Sequence, residues 1–204
     1  MTYSDLNPSK KAFIFELDNV LYPAKDYNLQ VYYLFANLLE YHEAFPPADD
    51  LLQFMKKVYE KYGSDRIFDK AKEVFGFEEK YREGFERLLL EAKLPLKLLL
   101  FQNMLTLLQD MVVDRKQIFI LTSGHPQQQL NKIRQTEWHG LEKFLKVYFA
   151  DELREQAPEL SPLGFVMKEN KLQAVDVLMI GELQNGESFA SEESIDYLAV
   201  TNFI

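Results

Sequence analysis

The stretch FIFELDNVLYP, residues 13–23, decides how the chain folds. Apolar residues at positions 13–15 and 17 predict a buried strand over residues 12–17, and two acids, Glu16 and Asp18, stand where this strand ends. In open α/β sheets, ligands bind beyond the carboxyl ends of the strands. The acidic pair is therefore the first candidate for a functional site, although an acid at a strand end can also be solvated and idle.

The composition indicates a globular chain and excludes several kinds of site. The 204 residues are 47% hydrophobic and 27% charged, as in ordinary globular domains. The absence of cysteine excludes disulfides, thiolate metal sites and cysteine nucleophiles. The formal net charge of −9 disfavours nucleic-acid binding. The first residues lack an apolar signal region and the longest apolar runs are too short to cross a bilayer, so we expect a cytoplasmic protein that does not bind membranes.

The order of helical and strand-like patterns predicts an inserted domain. From residue 27 to about residue 92, apolar residues recur at helical spacing without strand-like alternation. Residues 97–111 predict a further helix, and strands at 118–124, 147–150, 177–181 and 197–200 then alternate with helices. Such alternation implies parallel pairing with right-handed crossovers. We therefore predict an α/β fold with a doubly wound, Rossmann-like parallel core formed by residues 1–22 and 97–204, and an all-helical insertion at 23–96.

Polar residues follow two further predicted strands and begin one helix. Thr122 closes the apolar run at 118–121, and Glu182 follows the run at 177–181. Ser161 stands before Pro162, which is the usual arrangement of a helix N-cap with proline in the first turn. Each of these signals is weak alone, because small polar residues are common in tight turns.

Taken together, the motifs resemble those of the haloacid dehalogenase (HAD) superfamily, in the phosphatase and nucleotidase branch that carries a helical cap. ELDNVLYP, residues 16–23, is similar to the DxDNTLYP of those enzymes, and residues 23–96 are similar to their cap. In the family, the first acid attacks phosphorus, becomes an aspartyl phosphate and binds Mg²⁺. The second acid protonates the leaving group and then activates water, so the resemblance implies covalent and general acid–base catalysis.

The resemblance also implies a role for each matching position. Glu16 takes the position of the nucleophile, Asp18 that of the acid–base residue, and Thr122 that of the hydroxyl donor to the phosphoryl group. Ser161 stands where the family has a lysine that neutralises charge on the phosphate. The implied magnesium ligands are Glu16, Asp18 and Glu182.

Several positions depart from the family pattern. The extra methylene of Glu16 shifts a carboxylate by roughly 1 to 1.5 Å, and a misplacement of about 1 Å can cost ~100-fold in rate. Ser161 carries no charge, and we expect Lys168, about two turns further along, to lie on a solvated face. Gly186 stands where the family has a second metal-binding acid, with Glu187 displaced by one position.

These departures affect three parts of one mechanism, and residues that act as a unit are not independently dispensable. We therefore predict a HAD-like protein whose phosphohydrolase activity is impaired or absent, and which retains binding of phosphate, of a weakly held Mg²⁺ or of a partner. The first alternative is an active Mg²⁺-dependent phosphatase that acts on a small phosphorylated metabolite. The second is a non-enzymatic interaction module that uses the acidic, aromatic-rich cap, for which the sequence names no protein partner.

Two other groups of residues have simpler interpretations. The three histidines have no ligand spacing, so no zinc site is predicted. The first helix of the inserted region carries a stripe of aromatic residues. Such a stripe either lines a ligand pocket or packs between helices, and we expect it to pack between helices. Its members are Tyr27, Tyr32, Tyr33, Phe35 and Tyr41.

Overall fold

The structure is a computed structural model of the whole chain, and it describes residues 1–182 and 190–204. The described residues form two compact units. The first unit comprises Met1–Pro23, Leu98–Leu130 and Thr136–Ile204, and the second comprises Ala24–Lys97 and Asn131–Gln135. No helix of the described residues combines the length and the apolar character that a membrane span requires.

The strands of the described residues all belong to the first unit. They are β1 (Ala12–Phe15), β2 (Leu98–Leu99), β3 (Gln117–Thr122), β4 (Thr136–Glu137), β5 (Leu145–Phe149), β6 (Val177–Gly181) and β7 (Asp196–Ala199). Five of them form one sheet in the order β5-β3-β1-β6-β7, and every pair of neighbours is parallel. The predicted α/β fold with a parallel, Rossmann-like core is thus confirmed.

The α-helices follow in chain order. Those of the second unit are α1 (Ala24–Glu43), α2 (Ala48–Tyr62), α3 (Ile67–Phe75) and α4 (Arg82–Glu91). The remaining described ones are α5 (Gln102–Val113), α6 (Pro126–Gln135), α7 (Ala150–Gln156) and α8 (Pro162–Glu169). The last five residues of α6 belong to the second unit, although the sequence assigned them to the core. Asn131 and Gln135 both donate hydrogen bonds to the carbonyl oxygen of Ala92, which explains that assignment.

The central strands of the sheet are the most deeply buried. Every residue of β1 and of β6 is buried, as expected for strands that are covered on both faces. β6 has the predicted bounds, whereas β1 ends at Phe15, two residues earlier than predicted. The reason is a turn directly after the strand, in which Leu21 N donates to Leu17 O and Asn19 has a positive φ of 57°. Asp18 therefore lies in this turn, whereas Glu16 directly follows the strand and its N–H donates to Ile180 O at 3.2 Å.

The predicted helix at 97–111 is wrong at its beginning. Leu98 and Leu99 form β2, which pairs in parallel with β4, and α5 begins only at Gln102. The backbone N–H of Phe101 donates to Leu21 O at 2.8 Å, so this stretch is extended along the turn after β1. A helical pattern of leucines does not reveal such a pairing, because the partner strand lies far away in sequence.

The second unit has a core rich in aromatic side chains. Phe35 lies within 5.0–5.9 Å of the rings of Phe68, Phe77 and Phe85, measured between centroids. The aromatic stripe of α1 is divided: Tyr27, Tyr32 and Phe35 are buried, whereas Tyr33 and Tyr41 are 45% and 85% exposed. The expected helix–helix core thus accounts for only part of the stripe.

Candidate active site

A cavity of about 300 Å³ lies at the carboxyl ends of β1, β3 and β6, within the first unit. Its wall contains three carboxylates, two hydroxyl groups and one guanidinium group. The lining residues are Glu16, Leu17, Asp18, Thr122, Ser123, Arg154 and Glu182. The parallel sheet thus brings together four of the five predicted site residues, because strands that run in one direction end at one edge.

The carboxylate of Glu16 is held at the end of β6. Its Oε2 accepts a hydrogen bond from the backbone N–H of Glu182 at 2.8 Å. This position is open because residue 181 is glycine: a Cβ there would lie 2.8 Å from Oε2. The extra methylene that distinguishes Glu16 from an aspartate thus carries the carboxylate to the neighbouring strand end.

The surroundings of Glu16 favour its protonated form. Burial raises the pKa of the carboxyl group, the N–H of Glu182 opposes this, and the nearby charge of Glu182 raises the pKa further. The net result is a pKa above the ordinary value for glutamate. These surroundings therefore favour the neutral carboxyl group more than water does.

Neutral side chains hold both oxygens of the Asp18 carboxylate. Oδ1 accepts from the hydroxyl of Tyr22 at 2.7 Å, and Oδ2 accepts from Nε2 of Gln129 at 3.1 Å. The same Nε2 donates to the carbonyl oxygen of Ser123, and the side-chain Oε1 of Gln129 is buried without a hydrogen-bond partner. Sequence reasoning missed Gln129. Its only signal was its place in the first turns of the helix after the Thr-Ser-Gly turn at 122–124.

The turn after β3 connects the cavity to α7. Thr122 is 3% exposed, and the backbone N–H of Gly124 donates to Oδ2 of Asp151 at 2.8 Å. Asp151 also forms an ion pair with Arg154, whose side chain lines the cavity. A basic residue near this site was expected only at the family lysine position, so Arg154 was not predicted.

Comparison with known proteins identifies the family. The protein-family model of haloacid dehalogenase-like hydrolases matches residues 13–200, which is most of the chain. The chain belongs to that family. A search of the curated proteins finds no match to this sequence.

Solved structures of HAD proteins share the fold at low sequence identity. YfnB from Bacillus subtilis, described as a HAD-hydrolase and solved with magnesium, has a TM-score of 0.58 at 17% identity, over 92% of this chain and 87% of that one. A hydrolase from Streptococcus pneumoniae TIGR4 has a TM-score of 0.53 at 19% identity, over 95% and 96%. The L-2-haloacid dehalogenase from Xanthobacter autotrophicus, solved with chloropropionic acid covalently bound, has 0.53 at 14%, over 92% and 76%. At these identities the likeness concerns the fold alone.

The residue at the lysine position of the HAD family does not line the cavity. Ser161 is the N-cap of α8: its Oγ accepts from the N–H of Gly164 at 2.8 Å and donates to the carboxylate of Glu193. Lys168 is exposed on α8, as expected. Among the described lining residues, Arg154 is the one basic side chain.

The described residues do not fit the magnesium site that the HAD resemblance implies. Among residues 1–182 and 190–204, no three His, Asp or Glu side chains come together as a metal site would require. Of the expected ligands, Glu16 is bonded to a backbone amide and Asp18 to two side chains. Gly186 and Glu187, at the fourth family motif, lie outside the described residues.

Proposed function

We propose that this chain is a HAD-family protein whose phosphohydrolase activity is impaired or absent and whose cavity retains a binding role. The observation that carries the proposal is the bond between Glu16 Oε2 and the N–H of Glu182. A nucleophile must point at the reacting phosphorus with a lone pair free. Glu16 instead uses Oε2 to accept from a backbone donor at the end of β6.

Two further contacts support the same proposal. The Asp18 carboxylate has a neutral donor on each oxygen, so a leaving group would share this side chain with two protein hydrogen bonds. Ser161 contributes a helix cap instead of a positive charge. Because one mechanism depends on all of these groups together, the loss of any one of them is enough to impair it.

The decisive experiment is turnover of p-nitrophenyl phosphate with Mg²⁺ by the wild type and by a restored variant that carries Glu16→Asp, Ser161→Lys and Glu182→Asp. We expect no wild-type turnover above background and measurable turnover by the restored variant. The matched control adds Asp18→Asn to the restored variant and should abolish the gained activity, because the family acid–base residue is then missing.

Robust wild-type turnover that Asp18→Asn abolishes would contradict the proposal. That outcome would favour an active phosphatase acting on a small phosphorylated metabolite, with Glu16 as an adapted nucleophile. Circular dichroism and thermal unfolding of every variant separate lost chemistry from lost folding.

A further inference from the structure

We infer that the cavity at the end of β1 takes its positive charge from the Arg154 guanidinium group and that its described residues form no site for a divalent cation. This inference rests on the proposed function, since it concerns the same cavity, and it adds how the charge there is balanced. The HAD resemblance implies magnesium here, and the contacts of Asp18, Glu16, Gln129 and Arg154 do not fit that ion.

Two neutral donors fix the orientation of the Asp18 carboxylate. Its oxygens accept from Tyr22, at 2.7 Å, and from Gln129, at 3.1 Å. Both donors are deeply buried, 0% and 3% exposed, so the carboxylate cannot turn without losing them. A magnesium ion demands nearly octahedral oxygen ligands at about 2.0–2.1 Å, and it would have to take the carboxylate in this fixed orientation.

The orientation of the Gln129 amide strengthens this restraint. Its Nε2 meets two acceptors, Asp18 Oδ2 and the carbonyl oxygen of Ser123, so the NH₂ group must face both. A flipped amide would place an oxygen against two oxygens. The amide thus keeps its donors on Asp18 even though its own Oε1 is left buried without a partner, at a cost in free energy.

The Glu16 carboxylate is held at a backbone amide. The glutamate at position 16 reaches past Gly181 to the backbone of Glu182, and its Oε2 would be only 2.8 Å from a Cβ at residue 181. The carboxylate is thus pressed against the end of β6. Together with Asp18, it leaves no group of three ligands among the described residues.

Arg154 supplies a charge where the carboxylates need one. Arg154 lines the cavity together with Glu16, Asp18 and Glu182, and its side chain is 46% exposed. Asp151 pairs with Arg154 and accepts a hydrogen bond from Gly124, so the arginine is tied to the turn that follows Thr122. An arginine is always charged and cannot leave the site as an ion can, which makes it a permanent counter-charge.

The test measures Mn²⁺ binding by electron paramagnetic resonance and Mg²⁺ binding by calorimetry, on the full chain. For the wild type we expect no stoichiometric binding tighter than about 1 mM. For Arg154→Gln we expect Mn²⁺ affinity to increase by roughly tenfold or more, because the acids of the cavity then lack their counter-charge. Arg154→Lys, which keeps the charge, and Arg87→Gln, which removes an exposed arginine of α4, should both behave as the wild type.

Two results would overturn the inference. One is stoichiometric Mg²⁺ or Mn²⁺ binding by the wild type that Asp18→Asn removes. The other is a folded Arg154→Gln variant, shown by circular dichroism, whose Mn²⁺ affinity equals that of the wild type. Turnover of p-nitrophenyl phosphate distinguishes the two proposals: metal binding without turnover overturns only this inference, and turnover in a metal chelator overturns only the proposed function.

Discussion

The carboxylate of Glu16 and the backbone N–H of Glu182 are joined by a hydrogen bond of 2.8 Å that links the end of β1 to the end of β6. These two residues are 166 positions apart in the chain. The position at which the HAD resemblance implies a nucleophile thus forms a contact between two neighbouring strand ends. This contact depends on the length of the glutamate side chain and on the missing Cβ of Gly181.

Replacing Glu16 by glutamine should change how the free energy of unfolding depends on pH. The folded-state pKa of Glu16 is raised, chiefly by burial, so folding favours the protonated form. Its contribution to stability is fully present below the ordinary value of 4.5 and is lost as the pH rises through the raised folded pKa. We expect Glu16→Gln, whose Oε1 can still accept from Glu182, to be more stable than the wild type above this window.

The measurement is urea unfolding of both proteins across that pH range. The exposed Glu155, replaced by glutamine, controls for the change in net charge. The interpretation fails if the difference between Glu16→Gln and the wild type is as large at pH values below the ordinary glutamate pKa as it is at neutral pH.

A double-mutant cycle should show that Gly181 and Glu16 are coupled. Gly181→Ala alone should destabilise the protein by about 1 kcal/mol, because a Cβ would lie 3.0 Å from Cδ of Glu16 and 2.8 Å from Oε2. In a Glu16→Ala background this clash is absent, so the same change should be neutral or stabilising by ~0.5 kcal/mol. Thermal and urea unfolding of the four proteins give the coupling energy.

Gly84 offers a matched control for that cycle. It lies in α4, and a Cβ there would meet nothing within 4 Å. Gly84→Ala should stabilise the protein by ~0.5–1 kcal/mol in either background, since it improves helix propensity without touching Glu16. Equal effects of Gly181→Ala in both backgrounds would contradict the coupling.

Replacing the buried Gln129 by an apolar residue should destabilise the protein, because its amide donates two hydrogen bonds. Gln129→Leu deprives Asp18 Oδ2 and Ser123 O of their donor, and such losses cost about 1–3 kcal/mol. Gln127→Leu, at an exposed position of the same helix, should change the unfolding free energy by less than ~0.5 kcal/mol. Similar effects of the two changes would argue against a fixed amide at Gln129.

Ser161 should matter for stability through its helix cap. Its Oγ accepts from the N–H of Gly164, so Ser161→Ala should cost ~1 kcal/mol of unfolding free energy. Ser161→Thr retains a hydroxyl oxygen and should cost only a few tenths of that amount. If Ser161→Ala leaves the free energy of unfolding in urea unchanged, another acceptor or water must replace the cap.

Much of the fold follows from local patterns in the sequence. The apolar run before Glu16 and the run at 177–181 predict central strands, and both are fully buried. The bounds of β6 agree with the prediction because the run is followed directly by polar residues. The pairing of β2 with β4 was missed, since a two-residue strand has no periodicity to detect.

The sequence also predicted part of the candidate site, because several of its residues directly follow predicted strands. Glu16, Asp18, Thr122 and Glu182 come together because each follows a parallel strand of one sheet. Ser161 does not join them: it stands at the predicted N-cap, but its hydroxyl is used by α8 and by Glu193. Arg154 and Gln129 could not be found from the sequence, because each lies on a helix with no motif to mark it.

The sequence by itself determined the fold family, the strand ends that meet at the cavity, and the exchange of the expected aspartate and lysine for Glu16 and Ser161. Only the tertiary structure decided what these side chains touch. Contacts such as those of Glu16 with Glu182 and of Asp18 with Gln129 join residues more than 100 positions apart, and hydrogen-bond partners at that separation depend on how strands and helices pack. Burial then raises the pKa of Glu16, because packing removes the solvent that would stabilise the charged carboxylate.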